Sequence, residues 1–311
     1  MLLNPHDWSL AQQVDRVLPR LSTELADHVT PETHRSALEL TTGVHDKAAG
    51  VAGDLLNLRR LLQADLVPLG LTCASAGTHP TTVWHETVVS TGPRYELVYG
   101  SMRELARREP TFALHVHVSV TDPEHAIKLV NRMRAHLPLL LALSVNSPFW
   151  QGRDTGLGSA RTPLFQAFPR VGIPREFSDY ADWAEAVDLL IRCDAIQEPT
   201  FLWWDVRPQP RFGTIEVRIL DAQTTVAETA ALAVHGRAAG GHVRAGGRLR
   251  GRRLGGGTAA RGWRRDSSEG RAHLPDAGRG GRDRPRRPRG VAGGEPRGGG
   301  RRAVSLKLDP V

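Results

Sequence analysis

The feature that most constrains the fold is a strict alternation of apolar and polar residues over positions 111–120. One face would carry Phe112, Leu114, Val116, Val118 and Val120, and the other Thr111, Ala113, His115, His117 and Ser119. A period of two residues indicates a β-strand, and a strand with one polar face is typical of an antiparallel sheet. We therefore predict an α+β fold with a mainly antiparallel sheet and helices on one face.

Other segments of residues 1–234 supply the remaining helices and strands. Helical spacing of apolar residues predicts helices over 8–28, 46–67, 94–107, 123–144 and 179–193. Further strands are predicted over 71–74, 201–207 and 214–220. No apolar stretch is long enough to span a bilayer, and the first residues lack a signal-peptide pattern. We therefore expect a cytoplasmic protein without a membrane partner.

The composition changes near position 234. The net charge of +8 is the sum of −6 over residues 1–234 and +14 over residues 235–311. The second segment contains 20 glycines and 19 arginines and has no periodic apolar face. Such a sequence buries too little apolar surface to offset its loss of conformational entropy. We predict one globular domain over 1–234 and a disordered Arg/Gly-rich tail over 235–311.

Several polar residues on predicted strands could carry chemistry. His115 and His117 project from one face of one strand, about 7 Å apart, where they could bind a metal or phosphate. Glu216 and Arg218 repeat this arrangement on another strand, and Arg207 lies on a third. Solvent-facing histidines and surface ion pairs would explain the same patterns, so spacing alone leaves both interpretations open.

Glu32 and Glu39 are less informative by themselves. On a helix, seven residues bring them to one face, whereas on an extended segment they lie on opposite faces. The chain has no Walker-type loop, no Rossmann glycine fingerprint and no Gly-x-Ser-x-Gly motif. A bound nucleotide would therefore be held by metal-bridged phosphates on a sheet rather than by a glycine loop.

Seven segments, in order, resemble the type 2 glutamate–cysteine ligase family, which is related to glutamine synthetase. They are SALELTTGV (36–44), AGTHP (76–80), HVHV (115–118), LPLLLALS (137–144), SPFWQGRDTG (147–156), WWDVRP (203–208) and GTIEVRILD (213–221). The resemblance covers roughly residues 1–234. It implies a catalytic domain like that of glutamine synthetase, with a curved, mainly antiparallel sheet whose polar face holds the substrates.

The resemblance also implies a reaction and its participants. ATP and Mg²⁺ would serve to phosphorylate the γ-carboxylate of glutamate, and the amine of cysteine, or another amine, would attack the acyl phosphate. The implied partners are these small molecules, and a homo-oligomer is left open. Metal ions and arginines would neutralise the repulsion between the carboxylate and the γ-phosphate.

Matching positions carry roles over from the family, residue by residue. Metal ligands would be Glu32, Glu39, His117 and Glu216; cofactor-binding residues would be His115, His117 and Arg218; catalytic cations would be Arg218, Arg207 and Arg161. Of these, Arg161 and His115 are the weaker candidates.

The chain departs from the family at both ends. Members open with an acidic strand of the type Gly-Val-Glu-Glu-Glu-Phe, whose carboxylates bind metal, whereas the first residues of this sequence resemble the segment after that strand. The residues after 234 have G/C-rich codons, which favours the hypothesis of a shifted reading frame and a misplaced start. Two alternatives to a ligase are a catalytically impaired member of the family and, ranked last, a nucleic-acid binder acting through the Arg/Gly tail.

Overall fold

The computed structural model of the protein describes residues 1–107, 110–241 and 304–310. Its strands are β1 (Leu2–Leu3), β2 (Val29–Pro31), β3 (Leu38–Thr41), β4 (Thr72–Cys73), β5 (Phe112–Ser119), β6 (Phe149–Trp150), β7 (Arg153–Asp154), β8 (Val171–Gly172), β9 (Trp203–Trp204), β10 (Val206–Gln209), β11 (Thr214–Asp221) and β12 (Val304–Pro310). Its α-helices are α1 (Val14–Val17), α2 (Thr23–Ala26), α3 (Ala48–Leu66), α4 (Pro93–Met102), α5 (Glu104–Arg107), α6 (Pro123–Met133), α7 (Leu137–Ser144), α8 (Arg161–Phe165), α9 (Tyr180–Arg192) and α10 (Val226–Gly241).

A six-stranded sheet organises these elements. Its strand order is β10-β11-β5-β12-β3-β2, and every neighbouring pair is antiparallel. The alternating segment forms β5, near the middle of this sheet, and the side chains of Leu114, Val116 and Val118 are completely buried. The predicted mixture of helices with an antiparallel sheet is confirmed.

The apolar face of the sheet packs against helices α3, α6, α7 and α10, which together form the larger core. Helix α3 confirms the helix predicted over 46–67. It buries the residues whose spacing indicated it, namely Val51, Leu55, Leu58, Leu62 and Leu66. A stripe of this kind holds a helix on a sheet through the removal of apolar surface from water.

The polar face of the sheet is covered as well, which corrects the prediction of helices on one face only. A second, aromatic-rich core includes Val98 on α4, Trp183 on α9, and Phe168 and Trp203. Val98, Phe168 and Trp203 border the same cavity as polar residues of β5 and β11. The alternation within β5 could not reveal this cover, because the covering residues lie elsewhere in the sequence.

The helix predicted over 8–28 is wrong in extent. The segment forms only α1, a short 3₁₀ turn over Leu18–Arg20 and α2. Pro19 lies in the first turn of that 3₁₀ helix, and because proline has no backbone N–H, an uninterrupted α-helix cannot pass through it. Among the described helices, none combines the length and the apolar character that a membrane crossing requires.

The structure also moves the predicted boundary at position 234. Helix α10 continues to Gly241, and residues 304–310 form β12 between β5 and β3. Residues 235–241 and 304–310 lie in the segment that was predicted to be disordered. Helix α10 packs against α3, α6 and β5, and β12 pairs with two strands; local composition does not encode these contacts. The rest of the predicted tail, residues 242–303 and 311, lies outside the described residues, as do the reading-frame and nucleic-acid hypotheses that concern it.

Candidate active site

A cavity of about 440 Å³ lies on the polar face of the sheet. Six of the eight residues predicted from the sequence line it: Glu32, Glu39, His117, Arg207, Glu216 and Arg218. They come from strands β3, β5, β10 and β11, and from the residue directly after β2. The antiparallel pairing of these strands therefore assembles residues that are up to 186 positions apart in the sequence.

Glu216 lies at the centre of the polar end of the cavity. The strand register places it directly between Arg207 on β10 and His117 on β5. The Nε of Arg207 donates to Oε2 of Glu216 over 2.8 Å, and Arg218 donates from a terminal nitrogen to Oε1. All three of these charged side chains are buried. Two guanidinium groups thus share one carboxylate, so this triad carries net positive charge suited to an anion, whereas Glu32 and Glu39 supply negative charge to the same cavity.

The same pairing keeps Glu216 ionised. Burial by itself would raise the pKa of Glu216, but Arg207 and Arg218 together hold that pKa well below its usual range. Arg207 is further fixed because its guanidinium donates to the carbonyl oxygens of Thr200, over 2.9 Å, and Leu202. These contacts fix the guanidinium of Arg207 before any ligand binds.

The two histidines of β5 have different positions. His117 lines the cavity, and its Nδ1 lies 3.0 Å from Oγ1 of Thr214. His115 lies behind the cavity wall, fully buried, with its Nδ1 3.3 Å from Arg218. Burial, with a further contribution from Arg218, holds the pKa of His115 well below its usual range, so its ring is neutral and Nδ1 can accept from the guanidinium. The interpretation of both as solvent-facing histidines is therefore wrong.

Glu32 and Glu39 reach the cavity through a short hairpin, a geometry that neither a helix nor one extended segment would have given. Strand β2 ends at Pro31 and pairs with β3, which carries Glu39 opposite Thr30. Glu39 is buried and accepts from Oγ1 of Thr41 over 3.2 Å, while Glu32 accepts from the backbone N–H of Thr33 over 3.0 Å. The turn of the chain brings both carboxylates to one cavity.

The side chains of this cavity can supply some of the ligands of a magnesium ion, but not all of them. Within the described ranges, no group of three or more His, Cys, Asp or Glu side chains is arranged to hold a metal ion. Glu32 and Glu39 nevertheless offer carboxylate oxygens beside Glu216, and Mg²⁺ is commonly held by one or two carboxylates together with substrate phosphates. The residues therefore fit a magnesium ion that enters with a nucleotide, and they do not form a cage of protein ligands alone.

The other end of the cavity is apolar. Val98, Met102, Phe168 and Trp203 line it, and of these only Trp203 belongs to a segment that the sequence singled out, WWDVRP. The rim adds cations that the sequence did not single out. Of these, Arg94 lies 3.3 Å from Glu198, with its guanidinium 4.7 Å from the ring centre of Phe201. A cavity that combines paired guanidinium groups and carboxylates with apolar, aromatic side chains suits a ligand that joins a flat apolar ring to anionic groups.

Arg161 was predicted to be a catalytic cation, but it does not line the cavity. It is buried behind β11 and donates to the carbonyl oxygens of Ile219 and Arg218 over 3.1 and 3.2 Å. Its partner carboxylate, Asp221, was missed from the sequence. The family-like segment GTIEVRILD contains Asp221, but nothing in its spacing distinguishes a buried anchor from a residue of the cavity.

The fold and site together define an α+β domain whose antiparallel sheet presents paired arginines and carboxylates to a ligand-sized cavity. Comparisons with known proteins assign the same chain to a family. The family model described as glutamate-cysteine ligase family 2 (GCS2) matches residues 3–243. The chain belongs to glutamate-cysteine ligase family 2.

Curated relatives agree with this assignment. A Rubrobacter xylanophilus protein, provisionally named glutamate–cysteine ligase 2-1, is 43% identical over 223 residues, covering 72% of this chain and 59% of the relative. Proteins provisionally named glutamate–cysteine ligase 2 from Sorangium cellulosum and Roseiflexus sp. are 42% and 39% identical, covering 67% and 75% of this chain and 56% and 61% of the relatives. The chain therefore spans about three fifths of the length of these relatives.

Proposed function

We propose that the protein is an ATP-dependent carboxylate–amine ligase that joins the γ-carboxylate of glutamate to the amine of cysteine. The observation that carries this proposal is the buried pair of guanidinium groups on Glu216, which favours binding of an anionic group. Because the chain belongs to glutamate-cysteine ligase family 2, we infer that the anionic groups bound in the cavity are a carboxylate and a phosphate. The order of the antiparallel sheet supports the further proposal that the domain is a glutamine synthetase-like catalytic domain.

The proposed arrangement uses both ends of the cavity. The adenine ring would lie against the apolar end, near Phe168 and Trp203, and the phosphates would extend toward Arg207 and Arg218. Glu32 and Glu39 would supply carboxylate oxygens to magnesium bound together with the phosphates, while Glu216 stays paired with Arg207 and Arg218. Bound Mg²⁺ would neutralise phosphate charge and so favour nucleophilic attack.

The chemical steps need charge neutralisation more than a strong acid or base. An oxygen of the γ-carboxylate attacks the γ-phosphorus of ATP, the bond between that phosphorus and the ADP oxygen breaks, and an acyl phosphate forms. The amine nitrogen then attacks the acyl carbon, the carbon–oxygen bond to phosphate breaks, and the nitrogen loses a proton. Arg207 and Arg218 stabilise the negative charge that develops on the transferred phosphoryl group.

Release of inorganic phosphate tests this function. Full-length protein, ATP, magnesium, glutamate and cysteine should release phosphate, and omission of either amino acid should abolish the release. Arg218→Lys should lower the rate about 100-fold, because an ammonium cannot reproduce the forked contact with Glu216 and the phosphoryl group. Arg192→Lys is the control, since Arg192 pairs with Asp188 on the exposed side of α9. Phosphate release that does not depend on cysteine, or that survives Arg218→Lys, would contradict the proposal.

A catalytically impaired member of the family is the second candidate. It is favoured by the finding that the described residues contain no group of three potential metal ligands. This alternative predicts that the protein binds ATP with magnesium but releases no phosphate with any combination of the two amino acids. Binding and turnover measured on the same preparation therefore distinguish the two candidates.

A further inference from the structure

Arg161 begins helix α8 but acts on another element. Its guanidinium forks onto two consecutive backbone carbonyl groups of β11, those of Arg218 and Ile219. The side chain is 2% exposed, and it is not among the residues that line the cavity. An arginine buried in this way is costly unless its charge and its donors are satisfied, so the arrangement calls for an explanation.

The two carbonyl groups belong to an irregularity in the sheet. The register between β11 and β5 shifts between Val217 and Leu220, so that Arg218 and Ile219 together face His115 alone. This is a β-bulge, a feature that bends a strand and redirects its side chains. Arg218, whose guanidinium contacts Glu216 in the cavity, therefore lies where the pairing of β11 with β5 is irregular, and its backbone N–H donates to the carbonyl oxygen of Asp205 on the other side over 2.8 Å.

Asp221 holds Arg161 in place. Asp221 is completely buried, and its Oδ1 lies 3.7 Å from the guanidinium of Arg161. Its carboxylate accepts from the hydroxyl groups of Ser147 and Ser159 over 2.6 and 3.0 Å, and from the backbone N–H of Asn146 over 2.9 Å. These donors secure the anion that compensates the buried guanidinium.

The surroundings of Asp221 leave little room for movement. A side-chain carbon added to Gly77 would come within 2.7 Å of Cγ of Asp221 and 2.9 Å of Cβ of Ser147. Such distances are too short for non-bonded atoms, so the chain needs glycine at this position. Asp221, which holds Arg161, is therefore packed against Gly77 on one side and hydrogen-bonded to Ser147, Ser159 and the backbone of Asn146 on the other.

We propose that Arg161, held by Asp221, is a positioning residue that fixes the bulge of β11 and thereby the orientation of Arg218 in the cavity. Its consequence for ligand binding rests on the proposed function, in which Arg218 contacts phosphate. The proposal differs from the sequence-based expectation for Arg161, because Arg161 would act through Arg218 and would not touch the substrates.

Arg59 provides a matched control. It too forks onto two consecutive backbone carbonyl groups, those of Gln223 and Thr224, over 3.0 and 2.7 Å. These two residues follow β11 after Ala222, so they lie outside the bulge, and Arg59 does not line the candidate active site. Both arginines therefore bind two backbone carbonyl groups from a helix. Of the two, only Arg161 contacts the bulge of β11.

The test compares Arg161→Lys with Arg59→Lys in the full chain. Lysine keeps the charge but cannot fork onto two carbonyl groups. Both variants should lose thermal stability, but Arg161→Lys should weaken binding of ATP with magnesium about tenfold, as is common for residues that orient a binding group. Arg59→Lys should leave the dissociation constant unchanged. Equal effects of the two variants on binding, or none for Arg161→Lys, would overturn the proposal.

Amide hydrogen exchange separates this proposal from the proposed function. Exchange over residues 218–220 should accelerate in Arg161→Lys and stay unchanged in Arg59→Lys. If the unmodified protein binds no ATP, the proposed function fails, and the exchange result alone then decides whether Arg161 fixes the bulge. Should Arg161→Lys not fold, Ser159→Ala removes one hydrogen bond to Asp221 and should change exchange at 218–220 in the same direction. Unchanged exchange there would overturn the proposal.

Discussion

At the scale of single residues, the site depends on how a few buried charges are compensated. Glu216 has two guanidinium partners, and Arg161 has Asp221 with its three hydrogen-bond donors. A charge inside a protein is tolerated only with such partners, and removing one partner of a buried pair typically costs about 3–5 kcal/mol. The strands that carry these residues are therefore constrained by the site as well as by the core.

His34 makes the stability of the domain depend on pH. It is buried within the connection between β2 and β3, and burial lowers its pKa from 6.5 to about 4. Between these two pH values the unfolded chain takes up a proton that the folded chain does not. The free energy of unfolding should therefore fall as the pH falls from about 6.5 to 4, by about 3 kcal/mol from this residue.

Chemical denaturation at pH 7 and at pH 4 measures this effect. His34→Leu should lose less stability between the two pH values than the unmodified protein does. Leu58→Ala, which opens a cavity in α3 without changing any titratable group, should keep the original pH dependence. If His34→Leu keeps it too, protonation of His34 is not its cause.

Single residues also show where prediction from the sequence reached its limit. The spacing of His115 and His117, and of Glu216 and Arg218, correctly placed these side chains on one face of two strands. It could not show that His115 is covered and that His117 lines the cavity, because this depends on residues that are distant in the sequence. Asp221 escaped notice because a lone acidic residue at the end of a strand has many explanations.

At the scale of elements, β12 is a strand that the sequence did not predict, as are β2 and β3 of the same sheet. It separates β5 from β3, with seven register pairs to β5 and two to β3. Without a strand at this position, backbone N–H and C=O groups in the middle of the sheet would lose their partners, and each buried loss costs about 1–3 kcal/mol. Local composition could not reveal this role, because it is set by the two neighbouring strands.

A proline in β12 tests this role. Leu306 is paired with Val116, and Leu306→Pro removes a backbone N–H and adds a ring that clashes in the interior of a sheet. Deuterium uptake should rise over Leu38–Thr41 and Phe112–Ser119. Leu306→Val, which keeps the N–H, is the control. Equal uptake in the two variants would mean that β12 does not hold the centre of the sheet.

At the scale of the whole molecule, the candidate site lies between two apolar cores that are built from different elements. The larger core packs helices on the sheet, and the smaller one brings Phe168 and Trp203 over its polar face. Helical and strand periodicity predicted much of the first core. The second core depends on contacts between distant segments, and family resemblance, more than periodicity, indicated that the polar face encloses substrates.

The transfer of oxygen from glutamate to phosphate tests the central claim most directly. Glutamate labelled with oxygen-18 in its γ-carboxylate is incubated with the protein, ATP, magnesium and cysteine, and the released phosphate is analysed by mass spectrometry. An acyl-phosphate route predicts one labelled oxygen in each phosphate, because the carboxylate oxygen that attacks phosphorus leaves with it. Unlabelled phosphate would show simple hydrolysis of ATP and would contradict the assignment of this cavity as a carboxylate–amine ligase site.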